Sequence, residues 1–362
     1  MKKLLWIPAA LAALALLAVG CYALYLETQY SRIPDGTAVP VEGAGGAPLE
    51  PGTAYRAVTW NVGFGAYDHG FSFFMDSGRM ADGTAVRGTM SRAADAATVE
   101  RNLNGAVETL EALSPDFVLL QEVDVDADRS YHIDEAARFR AAFPEMTAAF
   151  ASNFHSAYLF YPVTKPHGRV SSGLLSLGRA PVSEAVRRSY PVDESFPTKF
   201  FDLDRCFLVQ RLPVAGGGEL VLVNSHLSAY DEGGRIRAAQ METLAAFLEE
   251  EAAQGHYVVV GGDFNHALCG SETAFPSGQQ MPEWVYPFDG AALPAGYSVV
   301  DAGLETATCR STDMAYTAGV NYTAILDGFL VSDNVTARAQ VVDTDFRYSD
   351  HNPVLLTFTL EP

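Results

Sequence analysis

The sequence predicts an α/β or α+β domain, with sheets buried against helices. Three observations point there. Short aliphatic runs recur as strand candidates, a few longer stretches carry helical periodicity, and long loops rich in Gly and Pro separate them. With 362 residues, 48% of them apolar, the chain can bury a full-sized core, which suits one large domain behind an N-terminal segment. No internal repeat is visible.

The N-terminal segment begins Met1-Lys2-Lys3 and then runs apolar from Leu4 to Leu26. That is about 23 residues, enough to cross a ~30 Å hydrocarbon layer as a helix and longer than a usual signal-peptide core. Lys2 and Lys3 precede the run and Glu27 follows it, so the positive-inside rule leaves the N-terminus in the cytoplasm and exports everything after Tyr30. Residues 1–30 are therefore expected to be a single-pass anchor in the cell membrane. The small residues before Cys21, Ala18-Val19-Gly20, also fit cleavage or lipidation, which would give a secreted form or a lipoprotein. All three routes export the remainder. Residues 31–52, with Gly43-Ala44-Gly45-Gly46 and several prolines, are expected to form a flexible linker, leaving 53–362 as the folded domain.

Within that domain Arg56 to Asn61 reads as a strand. Val99 to Leu113 has helical periodicity until Ser114-Pro115 stops it. Phe117 to Gln121 is an apolar strand, Ile133 to Phe143 a helix, and Gly173 to Leu177 a short strand before the turn at Gly178-Arg179-Ala180-Pro181. Further on, Glu219 to Asn224 and Tyr257 to Gly261 are strands on either side of a helix from Arg235 to Glu251. Long loops fill Gly270 to Leu304, and Ala324 to Val331 and Pro353 to Thr359 supply the last strands.

Charge and cysteines narrow the function. A formal net charge of −20 opposes any broad grip on nucleic acid or on an anionic membrane surface. Outside the anchor only Cys206, Cys269 and Cys309 remain, an odd number that argues against a disulfide framework. Without a paired C-x-x-C a zinc site is not expected either. A single bridge, if one forms, would pair Cys269 with Cys309.

The informative pattern lies at the ends of the apolar strands. Asn61 follows Val58-Thr59-Trp60, Glu122 follows Val118 to Gln121, and His226 follows Val221 to Ser225. Asp263 and Asn265 follow Val258 to Gly262, Asp327 interrupts a late apolar run, and Asp350-His351 precede the closing strand. Singly, each has a bland reading: Asn61 as a turn former, Glu122 as a surface charge, His226 or His351 as a structural histidine, Gly262-Asp263 as a turn. If these strand ends converge, they form a cluster of carboxylates, amides and imidazoles on one rim. Such a set suits phosphodiester cleavage, in which a hard cation offsets phosphate charge and a base orients water.

Trp60-Asn61, Gln121-Glu122-Val123, Asn224-Ser225-His226-Leu227, Gly262-Asp263-Phe264-Asn265, Leu326-Asp327 and Ser349-Asp350-His351-Asn352-Pro353 carry a family resemblance. Their order resembles the endonuclease/exonuclease/phosphatase superfamily, whose members include deoxyribonucleases, neutral sphingomyelinases and inositol polyphosphate phosphatases. The resemblance implies the four-layer α/β/β/α sandwich of the DNase I-like fold and a metal-dependent phosphodiesterase. Mg²⁺ is the implied cofactor, with Mn²⁺ or Ca²⁺ as substitutes, and Glu122 its main ligand, helped by Asn61 and Asp350. It further implies His351, oriented by Asp327, as base or phosphate contact, and Asp263 as the group that positions or deprotonates water. Asn265 would bind the scissile phosphate and His226 would stabilise the transition state or assist the leaving group.

Some features depart from that pattern. Glu122 is followed by Asp124, Asp126 and Asp128, which disfavours a polyanionic strand along that edge. Arg129 just beyond is a candidate phosphate contact or a solvated loop arginine. Asp124, Asp126, Asp128 and Glu135 also echo a calcium loop, but Arg129 stands where that loop needs Gly. The aromatic insert from Gly63 to Arg92 reads equally as a lid and as packing on the sheet. Among histidines outside the motifs, His155 and His266 are the candidates for the pocket, while His69, His132, His167 and His256 read as surface residues. The expectation is a monomeric extracytoplasmic phosphodiesterase acting on a phospholipid headgroup or a small phosphodiester. An exported nuclease is the rival enzyme, and a silent binding module on the same fold is disfavoured because every motif residue is present.

Overall fold

The computed structural model describes residues 2–229 and 231–362. Two seven-stranded sheets face each other. In the first, the Ala54–Asn61 and Phe117–Ala127 strands run parallel at the centre; in the second, Glu219–His226 and Tyr257–Asp263 do so. All other neighbours within the two sheets are antiparallel. A parallel pair needs a crossover, and here the helices Ala96–Leu113 and Arg235–Ala253 provide one for each pair.

Alternation along the strands explains the layers. Val58, Trp60, Val118 and Leu120 point outward to Val99, Leu103 and Leu110 of the first crossover helix. Ala57, Phe117 and Leu119 point inward and meet Leu220, Leu222, Val259 and Phe329 of the other sheet. On the far side Val221, Val223, Val258 and Val260 pack under Leu244, Phe247 and Leu248. These central strands are buried on both faces, so they read as unbroken apolar runs. The result is the expected α/β/β/α sandwich.

Local chemistry sets the helix ends. Asp95 caps the first crossover helix by accepting from Thr98 N at 2.7 Å, and Ser114 ends it in the left-handed region at φ 46°. Asp134 caps the short Glu135–Ala142 helix, accepting from Ala137 N. The predicted strand from Ala324 to Val331 is in fact two pieces, Thr323–Ala324 and Asp327–Ser332. Between them the carbonyls of Ile325 and Leu326 accept from Leu268 N and Phe264 N, which turns the chain and starts the second strand at Asp327.

Residues 31–52 are not a flexible linker. Thr37–Ala38 adds an edge strand to the second sheet beside Glu184–Ser189, and Val41–Glu42 adds one to the first beside Thr147–His155. Leu49 is buried and bridges to Val214. Arg32 donates to Asp204 at 3.0 Å and Glu194 at 2.7 Å, and Ile33 N also donates to Asp204. The Gly and Pro content here serves tight docking rather than freedom: at Gly45, φ +67°, a Cβ would lie 2.6 Å from the Ala180 backbone. A form truncated at Thr53 is therefore expected to melt about 5 °C or more below one beginning at Ser31. Calorimetry of the two would check this, and equal melting points would contradict it.

The first helix, Lys2–Gln29, is continuous through Cys21. Its Trp6–Gln29 portion, 24 residues whose 18-residue apolar stretch has mean hydropathy 2.2, is long and apolar enough to cross a membrane. All four cysteines are free, so the Cys269–Cys309 bridge does not form; Cys309 is buried while Cys269 is exposed.

Candidate active site

Both parallel pairs end at the same rim. Register pairs Asn61 with Gln121 in one sheet, and His226 with Asp263 and Asp263 with Asp327 in the other. Two buried amides tie the sheets together just beneath. Gln121 Nε2 donates to Asn224 Oδ1 at 2.8 Å, and Asn224 Nδ2 donates back to the Leu120 carbonyl at 3.1 Å. This clip fixes Glu122, next to Gln121, relative to His226.

Backbone irregularity aims the key side chains. Glu122 has φ 56° inside a strand, where pairing with Val170–Gly178 slips between Leu120 and Val123. Such a bulge turns a side chain out of the sheet's alternation, and a left-handed non-glycine residue is the kind of strain that gathers at functional sites. Asn265 is also left-handed at φ 48°, with its N–H donating to Asp263 Oδ1 and its amide to the Leu227 carbonyl, both at 2.9 Å. Gly262 must be glycine, because a Cβ there would fall 2.0 Å from the Ser225 carbonyl oxygen of the parallel neighbour.

The side chains form one connected cluster. Asn61 Nδ2 donates to Glu122 Oε1 and to Asp263 Oδ2, each at 3.1 Å. His351 Nδ1 donates to Asp327 Oδ2 at 2.7 Å, and its Nε2 lies 3.8 Å from Asp263 Oδ2. His226 Nε2 stands 3.5 Å from the same Asp263 oxygen and 4.0 Å from Glu122 Oε1. Asp263 is thus the hub between two imidazoles.

Burial and neighbours tune these groups in opposite directions. Burial, reinforced by Asp327, pushes the Asp263 carboxyl up to about 6 against the pull of His351. Although burial works against its charge, His351 is held well above its ordinary value, Asp327 being the main cause. His226 is driven well below its ordinary value, first by burial and then by the charges of Arg205 and His351. The surroundings thus favour the charged form of His351 and the neutral form of His226, with a carboxyl raised to about 6 between them.

Two donor sets bear on a metal ion. Asp263, Asp327 and His351 bring one ligand atom each within 4.8 Å of one another, but His351 Nδ1 is committed to Asp327, so this set reads as a proton-transfer chain. Asn61, Glu122 and Asp350 form the other set. Burial raises the Asp350 carboxyl to about 6, with His351 and Arg310 opposing and the Glu122 charge adding to the rise. Carboxylates gathered in a cleft suit a hard divalent cation, and the Asn61 amide braces them, its Nδ2 donating to Glu122 and Asp263 while its Oδ1 accepts from Gly63 N.

All the residues predicted for the site except Asn61 and Asp327 line one cleft of about 400 Å³, and those two hydrogen-bond to residues that do. Arg129 requires correction. It is neither solvated nor a free phosphate contact: two of its N–H groups go to buried Asp124 at 2.8 and 3.0 Å, and its guanidinium lies 3.7 Å from the Phe64 ring centre. Asp124 is consumed by this pair and by Ser130 Oγ, which rules out the calcium loop. The aromatic insert packs as a wall, with Phe64, Tyr67, Phe71, Phe73 and Phe74 buried and Met75 exposed. His155 and His266 do not line the cleft, whereas buried His167 does, bonded to the Ser91 carbonyl.

Sequence reading missed Arg205 and Asn153. Both are buried and line the cleft. Arg205 Nε and Nη1 and both amide atoms of Asn153 have no partner among the described residues. Buried donors without acceptors cost free energy unless something fills the site. Only the position of Arg205 at the head of the unpredicted Cys206–Pro213 strand could have flagged it.

The family model of the "Endonuclease/Exonuclease/phosphatase family" matches residues 58–351. Among solved structures, an endonuclease/exonuclease/phosphatase from Beutenbergia cavernae DSM 12333 superposes at TM-score 0.55 and 17% identity, covering 85% of this chain and 72% of that one. ANGEL2, described as a 2',3'-cyclic phosphatase in complex with adenosine-2',3'-vanadate, gives 0.56 at 14% identity, covering 90% and 99%. D. rerio TDP2, complexed with single strand DNA product, gives 0.52 at 16%, covering 85% and 99%. At these identities the likeness is one of fold. No curated protein sequence matches.

Proposed function

Since the chain belongs to the endonuclease/exonuclease/phosphatase family, we propose that it is a magnesium-dependent phosphodiester hydrolase, monomeric, anchored in the cell membrane by its first helix, with the catalytic domain outside. The observation that carries this is the hub at Asp263, whose Oδ2 lies 3.5 Å from His226 Nε2 and 3.8 Å from His351 Nε2 beside the Asn61, Glu122 and Asp350 donor set. A Mg²⁺ ion held by Glu122 and Asp350, with Asn61 at its edge, would offset phosphate charge; Mn²⁺ or Ca²⁺ would suit the same oxygens.

The protein's own groups then divide the work. Asp263, near neutral in pKa, takes the proton from the attacking water. His351, kept charged by Asp327, donates to a phosphoryl oxygen through Nε2. Neutral His226 and Asn265 flank the scissile phosphate. Arg205 meets the remaining phosphate charge, which gives its unpartnered N–H groups acceptors.

An apolar-walled cleft and a net charge of −20 favour a phospholipid headgroup or a small phosphodiester over a polynucleotide. Arg205→Ala tests the assignment. It removes donors that have no partner, so the melting point should hold, while kcat/KM on bis(p-nitrophenyl) phosphate should fall about 10²-fold. Unchanged turnover would remove Arg205 from the site.

A further inference from the structure

The first helix does not simply leave the domain; it is clamped by it, at a level within its own apolar span. Tyr22 Oη donates to the Tyr158 carbonyl at 3.1 Å, Tyr158 N donates to Tyr25 Oη at 3.1 Å, and Phe160 stacks edge-on against Tyr22 at 5.3 Å. Leu26 is buried with Leu159 and Phe200. Tyr22 lies seven residues before the helix end at Gln29, so the loop reaches about 10 Å back along the helix axis. Just beyond, Lys199 pairs with Glu27 at 2.9 Å, marking the level where charged groups resume.

The loops that make this clamp carry an unusual surface. Val163 is 83% exposed, Phe196 68%, Tyr161 57% and Phe160 56%. Large apolar side chains grouped in this way mark an interaction site. Their partner follows from continuity: the same loop that grips the apolar helix presents them beside it, and tyrosines at a helix end sit at the membrane interface. The surface also leads into the cleft. Leu159, Tyr161 and Phe201 line it, the Tyr161 ring lies tilted against that of Phe74 at 5.6 Å, and Met75 adds a further exposed apolar edge.

We propose that the 158–163 loop and the segment around Phe196 insert into the outer leaflet beside the first helix, so that the cleft opens onto the bilayer and takes a phosphodiester lipid from the membrane that anchors the enzyme. The headgroup enters toward Arg205 and Asp263 while the acyl chains stay against Leu159, Tyr161 and Phe201. The substrate part of this proposal rests on the phosphodiesterase reading; the docking geometry does not.

Two measurements on the full chain, reconstituted in phosphatidylcholine–phosphatidylglycerol vesicles, separate these parts. In a Cys21→Ser, Cys269→Ser background, whose other cysteines are buried, an environment-sensitive fluorophore at Val163→Cys is quenched by nitroxide-bearing lipids several-fold more than one at Glu250→Cys, on the crossover helix end farthest from the cleft. Equal quenching at the two positions overturns the docking, whatever the enzyme cleaves. In the kinetic arm Phe160→Asp/Val163→Asp lowers hydrolysis of vesicle lipid by about tenfold or more and leaves bis(p-nitrophenyl) phosphate turnover within about twofold. Equal losses on both substrates would mean that the loop supports catalysis rather than docking and would overturn the proposal. A wild-type chain that cleaves neither substrate while the Val163 label is quenched sinks the phosphodiesterase reading alone.

Discussion

His351→Ala is expected to lower kcat on a diester by about 10³-fold, because it deletes the charged donor to the phosphoryl oxygen and the partner that shapes the Asp263 pKa. The structure adds a second consequence. Asp327 is fully buried, one of its oxygens already lacks a partner, and His351 takes the other. Removing the imidazole strands that carboxylate, which costs about 3–5 kcal/mol where a buried pair loses one member. The variant should therefore be both inactive and less stable. His351→Ala/Asp327→Asn should recover most of the stability and none of the activity. Urea denaturation beside steady-state kinetics tells the two effects apart; a double variant that regains turnover would take His351 out of the chemistry.

Glu122→Gln is expected to lower activity at a fixed low Mg²⁺ concentration by about 10²- to 10³-fold, with partial recovery as Mg²⁺ is raised. The amide keeps the shape and one oxygen but loses the charge. It also removes the neighbour that adds to the raised Asp350 pKa, so the folded state should not suffer. A titration of rate against Mg²⁺ should show a right-shifted midpoint. An unshifted midpoint with a lower plateau would assign Glu122 to orientation rather than metal binding.

How much of this was legible in the sequence follows from what each segment buries. The central strands are covered on both faces, so Phe117 to Gln121, Glu219 to Asn224 and Tyr257 to Gly261 stand out as apolar runs. Their polar ends are conspicuous for the same reason, which is why Asn61, Glu122, His226 and Asp263 could be found. Outer strands hide better. After buried Val335, Val335–Val341 alternates exposed and half-buried residues with Ala and Arg among them, and Glu184–Ser189 is mostly charged or small. Thr147–His155 is rich in Ala and owes its strand to the neighbours on both sides.

The site shows the same division. Residues that terminate a strongly patterned strand were visible, whereas Asn153 lies in a weakly patterned strand and Arg205 just before an unpredicted one, and both declare themselves only through burial without partners. Arg129 misled because sequence neighbours cannot reveal that Asp124 turns inward to meet it. The linker misled because Gly and Pro mark close docking as well as freedom, and only the third dimension separates the two.

The most direct test of the central claim is hydrolysis by the full chain, with EDTA and then with added Mg²⁺, on phospholipid vesicles, bis(p-nitrophenyl) phosphate and plasmid DNA in parallel. The expected result is turnover abolished by EDTA, restored by Mg²⁺, and fastest on the vesicle lipid. Turnover indifferent to EDTA, or none on any of the three, would contradict a metal-dependent phosphodiesterase built on Glu122, Asp263 and His351.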